Sequence, residues 1–313
     1  MTNQLKIIGE PYKKFGLKHT SKSTATLPHT IRFFKKHCLN PNEANKLSNA
    51  SLHGGTVIHL IVEECLTKKV DADAAFNKKE IQDKINYYTP YNDKDKKKYE
   101  MVIKFAKETA NNHLENIREL DEQEWQDELS YTIWTPPVQT YWLCYIDLVG
   151  KAVQETMESY FGDLKNKFGS VEYKPLKNKQ TKQNPNRIGD YVYSAVKIPN
   201  RPFYSDLMQI ALYKKCCPLK PVLSYASHTD RKLFTEENCE DLKQKNLDRS
   251  LKQLMVYEIA WQKKLECADG DINKLAWLCP PDFSDIKKDS FWYQGVPQEY
   301  IERYLNYYEL WSC

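Results

Sequence analysis

No stretch of this sequence approaches the roughly 20 consecutive apolar residues that a helix needs to cross a bilayer, so no membrane-spanning helix is expected. The opening residues, "MTNQLKIIGEPYKKFG", lack the long apolar core of a secretory signal. A cytoplasmic protein with no membrane partner is therefore expected. There are nine cysteines, an odd number, and no CxxC. They read as reduced thiols in a reducing compartment, most of them buried as small hydrophobes. No internal repeat is visible, which leaves a globular organisation.

What is present fits that organisation. The chain has 313 residues, enough for one large domain or two small ones, and 41% apolar with 28% charged residues suits a soluble fold with a proper core. Net charge is only +4, but its distribution is uneven. Residues 115–128 hold seven acidic side chains, whereas residues 163–187 hold seven basic ones against two acidic.

The pattern of elements suggests α/β: a mixed central sheet flanked by helices, with a helical N-terminal part. Residues 1–30 read as an extended arm. Residues 31–127 read as helical, with "NASLHGG" as a loop and a break at "YYTPYND". From 128 the texture turns aromatic and β-branched. "ELSYTIWTPPVQTYWLCYIDLVGKAV" reads as a hairpin about its Pro-Pro turn, followed by a strand "SVEYKPL". "YSDLMQIALYKKCC" reads as a helix, "KPVLSYASH" as a strand, and the segment ending at 265 as a long helix. Residues 266–313 form an aromatic segment expected to pack on this 128–265 core.

Asp147 lies in the apolar strand "YWLCYIDLVG". A carboxylate there is costly unless paired or bound to a cation. In "SVEYKPL", Glu172 and Lys174 share one face of a strand, because side chains alternate. If the two strands are neighbours, Asp147, Glu172 and Lys174 converge. Two carboxylates suit Mg²⁺ or Mn²⁺, and the lysine would act on water and offset phosphate charge. Taken alone, an E-x-K triplet is more often a surface strand pair, and Asp147 reads equally as an ordinary strand-end residue. The following loop, with Lys177, Lys179, Lys182 and Arg187, would track a polyanion.

Two further spacings extend the pattern: Gly55-x-x-x-His59 in "GTVIH", and Gln209-x-x-x-Tyr213 in "QIALY". In this order the motifs resemble the PD-(D/E)XK nuclease superfamily, in its RecB-like exonuclease branch, over about residues 22–265. The opening "STATLPHTIRFFKKHCLNPNEANKL" is similar to the N-terminal helical motif of phage exonucleases and of the mitochondrial genome maintenance exonuclease. The resemblance implies a restriction-endonuclease-like core. It implies Asp147 and Glu172 as metal ligands with the carbonyl of Tyr173, Lys174 as the catalytic lysine, and His59 as a metal ligand or phosphate contact. Gln209 and Tyr213 would brace Lys174 and touch DNA. Glu63 either supports His59 or is an exposed helix charge. Glu128 is either a further acidic group near the site or a salt-bridge partner. Some relatives hold an iron–sulfur cluster on closely spaced late cysteines. Cys267, Cys279 and Cys313 lack that spacing, so no cluster is expected. No Walker A or helicase motif is present either.

The implied activity is a Mg²⁺-dependent DNA exonuclease acting from single-stranded ends, in phage-type recombination, replication or host-DNA degradation. The compartment would then be the host cytoplasm if the chain is phage-encoded, with a single-strand-binding or recombination protein as a candidate partner. Tyr87, Tyr88, Tyr91, Tyr141 and Trp142 are candidates for stacking on bases, although core positions suit most of them. The alternatives are a non-catalytic nucleic-acid-binding module on the same fold and a restriction-like endonuclease.

Overall fold

The structure, a computed structural model, describes residues 7–39, 49–175, 189–283, 286, 292–293 and 296–308. Where an extended arm was expected, short elements follow one another: helix α1 (Glu10–Lys14), strand β1 (His19–Thr20), helix α2 (Lys22–Ala25) and helix α3 (His29–Phe33), which runs into a π turn over Phe34–Cys38. A buried ion pair ties this arm down. Arg32 Nη1 and Nη2 donate to the two carboxylate oxygens of Glu258, each at 2.7 Å. The Tyr12 hydroxyl (2.9 Å) and the Thr20 hydroxyl (3.0 Å) donate to the same carboxylate.

Five helices follow: α4 (Ala50–Lys68), α5 (Ala72–Phe76), α6 (Lys79–Tyr87), α7 (Asp93–Lys104) and α8 (Ala106–Ile117). The expected loop "NASLHGG" is instead the start of α4. Asn49 caps it, its side-chain oxygen accepting from Leu52 N at 3.0 Å. Gly54 belongs in this helix because α7 crosses it closely. A Cβ there would fall 2.1 Å from Val102 Cγ1. The break between α6 and α7 falls at "YYTPYND", as the turn residues predict.

The sheets are mixed. Strand β2 (Gln123–Gln126) begins ahead of the boundary expected at 128. Strands β3 (Leu129–Trp134) and β4 (Tyr141–Ile146) form the expected antiparallel hairpin, and β1 adds to β4 in parallel. The chain bends at Asp147 and enters a second sheet as β5 (Leu148–Ala152), followed by β6 (Tyr160–Asn166). Strands β7 (Ser170–Pro175) and β8 (Gly189–Ser194) make a separate two-stranded sheet. Helix α9 (Tyr204–Tyr213), strands β9 (Lys220–Ala226) and β10 (Arg231–Phe234), and helices α10 (Gln244–Ala268), α11 (Ile272–Trp277) and α12 (Gln298–Asn306) complete the chain. The five-stranded sheet runs β10-β9-β6-β5-β2, with β6 and β9 parallel.

That sheet separates two apolar clusters, because alternate residues of each strand face opposite sides. Leu148, Leu164 and Val222 face Ile58, Ile61 and Leu114 of α4 and α8. Val149, Phe161, Leu223 and Tyr225 face the cluster built on α9, α10, Trp142, Phe34 and Tyr304. Each such fully buried side chain stabilises the fold by about 1.5–3 kcal/mol. The architecture is mixed α/β, with sheets flanked by helices and a helical N-terminal region. Among the described residues, no helix is long and apolar enough to cross a membrane.

Candidate active site

Asp147 occupies the bend where the chain leaves one sheet for the other. Its Oδ2 accepts a hydrogen bond from Leu164 N at 2.8 Å, which fixes the carboxylate against β6. On β6, Asp163 and Lys165 share the face opposite Leu164. Gly162 lets β6 approach β9, since a Cβ there would meet Val222 O at 2.4 Å. The Lys165 ammonium is ion-paired with Asp163 and lies 3.8 Å from Asp206 Oδ1. It also donates to Gln209 Oε1 at 2.9 Å.

Helix α9 supplies the opposite wall. Asp206, Gln209 and Tyr213 recur at helical spacing and so share one face. Gln209 Nε2 donates to Asp163 Oδ1 at 3.4 Å and also to the Tyr213 hydroxyl. The Asp206 carboxylate accepts from the Tyr225 hydroxyl. From the other side of the sheet, α4 delivers His59. Its Nε2 lies 3.1 Å from the Leu164 carbonyl, and its Nδ1 lies 3.6 Å from Asp147 Oδ2.

The electrostatics follow from burial and crowding. Burial raises the Asp147 carboxyl well above the usual range, and the charge of Asp163 adds to this. Burial works against the Asp163 carboxylate too, yet Lys165 and a hydrogen bond from Asp147 hold it below the usual range. The crowding thus favours the ionised form at Asp163, beside Lys165, and the protonated form at Asp147. Burial also opposes the Lys165 charge, but Asp163, Asp206 and Asp147 outweigh it and keep the ammonium protonated. Burial lowers His59 to about 4, so its ring is neutral at pH 7.

A carbonyl can only accept, so the His59 proton sits on Nε2 and donates to Leu164 O. The bare Nδ1 lone pair then faces the Asp147 carboxyl. Two such groups face each other stably only with a proton or a cation between them. Asp163 Oδ2 is buried against the Lys165 ammonium. Among the described residues, no group of three or more His, Cys, Asp or Glu side chains is arranged to hold a metal. The donor set is two carboxylates, the Leu164 carbonyl and a histidine nitrogen. As donor types these suit Mg²⁺ or Mn²⁺, which bind through one or two carboxylates and keep several waters of their own, although as placed they do not converge as a three-ligand cluster.

The residues expected from sequence are divided by this arrangement. Asp147, His59, Gln209 and Tyr213 come together. Glu172, Tyr173 and Lys174 do not join them. They lie exposed on β7, which pairs antiparallel with β8, Glu172 opposite Val192 and Lys174 opposite Asp190. The expectation that β7 neighbours the Asp147 strand is corrected: β6 is that neighbour, through Leu148 opposite Gly162. Gln209 accordingly braces Lys165 rather than Lys174, and the carbonyl facing the cluster belongs to Leu164 rather than Tyr173. Lys177, Lys179, Lys182 and Arg187 lie outside the described residues. Glu63 Oε1 accepts from Glu128 N at 3.3 Å, which joins the two acids whose roles the sequence left open. Trp142 is a core residue, and Tyr88 stacks on His53 at 4.9 Å between ring centroids.

No family model matches the chain, and no curated protein does. Among solved structures, that of SSO0001 aligns at 11% identity with a TM-score of 0.26, over 65% of this chain and 74% of that one.

Proposed function

We propose that the chain is a metal-dependent deoxyribonuclease of the PD-(D/E)XK type, an exonuclease of the RecB-like branch. In this reading Asp163-Leu164-Lys165 takes the place that Glu172-Tyr173-Lys174 holds in the sequence-based expectation. One observation carries it: two largely buried carboxylates, Asp147 held to the Leu164 amide and Asp163 on β6, stand beside the Lys165 ammonium that Gln209 braces. Such a pair is costly to bury and contributes little to folding as it stands. Perturbed acids of this kind concentrate at functional sites.

Asp147 and Asp163 would hold Mg²⁺ or Mn²⁺, with the Leu164 carbonyl and His59 beside them. When bound, the ion supplies Lewis-acid polarisation of the phosphodiester and a more acidic attacking water. Lys165 stays an ammonium and stabilises the negative charge that builds on the phosphoryl oxygens. Gln209 fixes that ammonium, and Tyr213 fixes Gln209. His59 orients Asp147 from the helix side. The expected substrate is a DNA end, single-stranded by preference.

The test is digestion of end-labelled linear DNA, single- and double-stranded, in Mg²⁺ and in EDTA, with Lys165→Ala and Lys174→Ala in parallel. Mg²⁺-dependent loss of label that Lys165→Ala abolishes and Lys174→Ala spares supports the reading. Inert wild-type protein, or equal loss in both variants, overturns it.

A further inference from the structure

Phe203 and Tyr204, where α9 begins, are adjacent large aromatics, and each is 50% exposed. Isolated exposed aromatics are ordinary. This pair is different because of what surrounds it. The Lys167 ammonium lies 4.2 Å from the Phe203 ring centre and 4.7 Å from that of Tyr225. Phe203 N donates to the Tyr225 hydroxyl at 3.1 Å, which sets the Phe203 backbone. Tyr225 in turn donates to Asp206, and Asp206 lies 3.8 Å from Lys165. Phe203 is thus held to the candidate active site through three consecutive contacts.

Lysines stand around it, interleaved with the acids Asp163 and Asp206. Lys165 and Lys167 share one face of the chain at β6. Lys22 stands on α2, which packs against α9. Among the described residues Lys22 has no ion-pair partner. Flat apolar rings beside ammoniums, next to groups suited to phosphodiester chemistry, match a nucleotide: base on ring, phosphate on lysine. A base within a duplex is already stacked on both faces and offers no free one. The matching occupant is an unpaired base.

We infer that Phe203 and Tyr204 form a stacking platform for an unpaired base of the DNA strand, with Lys167 and Lys22 holding the adjoining phosphates. The inference rests on the nuclease reading and names the residues that would meet the single strand.

The experiment measures binding in EDTA, so that no cleavage intervenes. The probes are a 20-nucleotide single strand carrying 2-aminopurine and a blunt duplex of the same sequence. Combined Phe203→Ala and Tyr204→Ala should weaken single-strand binding about tenfold or more, with duplex binding within about twofold. Phe203→Trp with Tyr204→Phe should restore it. In the wild-type complex, 2-aminopurine fluorescence should be quenched at one position of the strand, a readout that needs no variant to fold. An unchanged single-strand affinity in the alanine variant, an equal loss for duplex, or no quenching anywhere overturns the platform. If the wild type still degrades DNA in Mg²⁺, the nuclease reading survives that result. A wild type that neither binds nor cuts DNA overturns both.

Discussion

Lys165 Nζ donates a hydrogen bond to Gln209 Oε1 at 2.9 Å. This single contact joins the strand that carries the acids to the helix that carries the amide and phenol. It makes the position of the ammonium depend on α9. Lys165→Ala should therefore lower kcat by at least about a hundredfold, the scale of one lost transition-state donor. DNA binding should stay within a few-fold. Gln209→Leu should lower kcat by a smaller factor while KM holds, because it displaces the ammonium rather than removing it. Single-turnover digestion beside anisotropy binding reads both. A Gln209→Leu effect confined to KM would place the amide on the substrate instead.

The carboxylate pair predicts a metal requirement. EDTA should remove activity, and Mg²⁺ or Mn²⁺ should restore it. Asp147→Asn and Asp163→Asn should each weaken Mn²⁺ binding in calorimetry. Glu172→Gln should not, since Glu172 lies exposed on β7. Wild-type Mn²⁺ affinity in both Asp variants counts against the assignment.

The Arg32–Glu258 pair is fully buried. Removing one partner leaves a charge with no counter-ion in the core. Glu258→Ala should cost about 3–5 kcal/mol in urea unfolding. Replacing both, Arg32→Met with Glu258→Leu, should recover most of that loss. A double variant as unstable as the single one would show that Tyr12 and Thr20, rather than the ion pair, hold the arm.

His37 gives a pH dependence with a definite sign. Burial lowers it to about 4 from the ordinary 6.5, and Lys36 and Arg32 push the same way. Below pH 6.5 the unfolded chain takes up a proton that the folded chain refuses. The stability linked to neutral His37 is fully present above pH 6.5 and is lost as pH falls through about 4. His37→Phe should flatten the fall of Tm between pH 6.5 and 4, with the ring contacts to Phe15 and Phe33 kept. Parallel Tm curves for wild type and variant would refute this.

Much of this arrangement is legible in the sequence. The hairpin about Pro136 and Pro137, the helix bearing Gln209 and Tyr213, and the long helix ending near 265 follow from turn chemistry and periodicity. The carboxylate in the Asp147 strand stands out because its neighbours are apolar. The same criterion applies with more force to Asp163 in "YFGDLKNKFG", where Tyr, Phe, Gly and Leu surround it. That segment opens as strand β6, buried from Tyr160 to Leu164, yet its glycines and lysines resemble a basic loop. Glu172 has the opposite character. Its strand is polar on the side it presents, and two D/E-x-K triplets occur within a dozen residues. Spacing alone cannot rank them, because the choice turns on which strand pairs beside Asp147. That is a long-range fact with no local signal. The arm was unreadable for a related reason: Glu258, which anchors it, lies 226 residues from Arg32.

Strand β1 lies parallel to β4, with His19 opposite Tyr141 and Thr20 opposite Trp142. Two residues contribute little as a strand, but they act as a stopper. A chain shortened to begin at Pro28 would leave the row of backbone donors and acceptors beside Tyr141 and Trp142 bare. A bare edge is a template for a strand from another copy. The shortened protein would go wrong by polymerising before it went wrong by melting. Its solubility would then fall with concentration at temperatures where its helices are still intact.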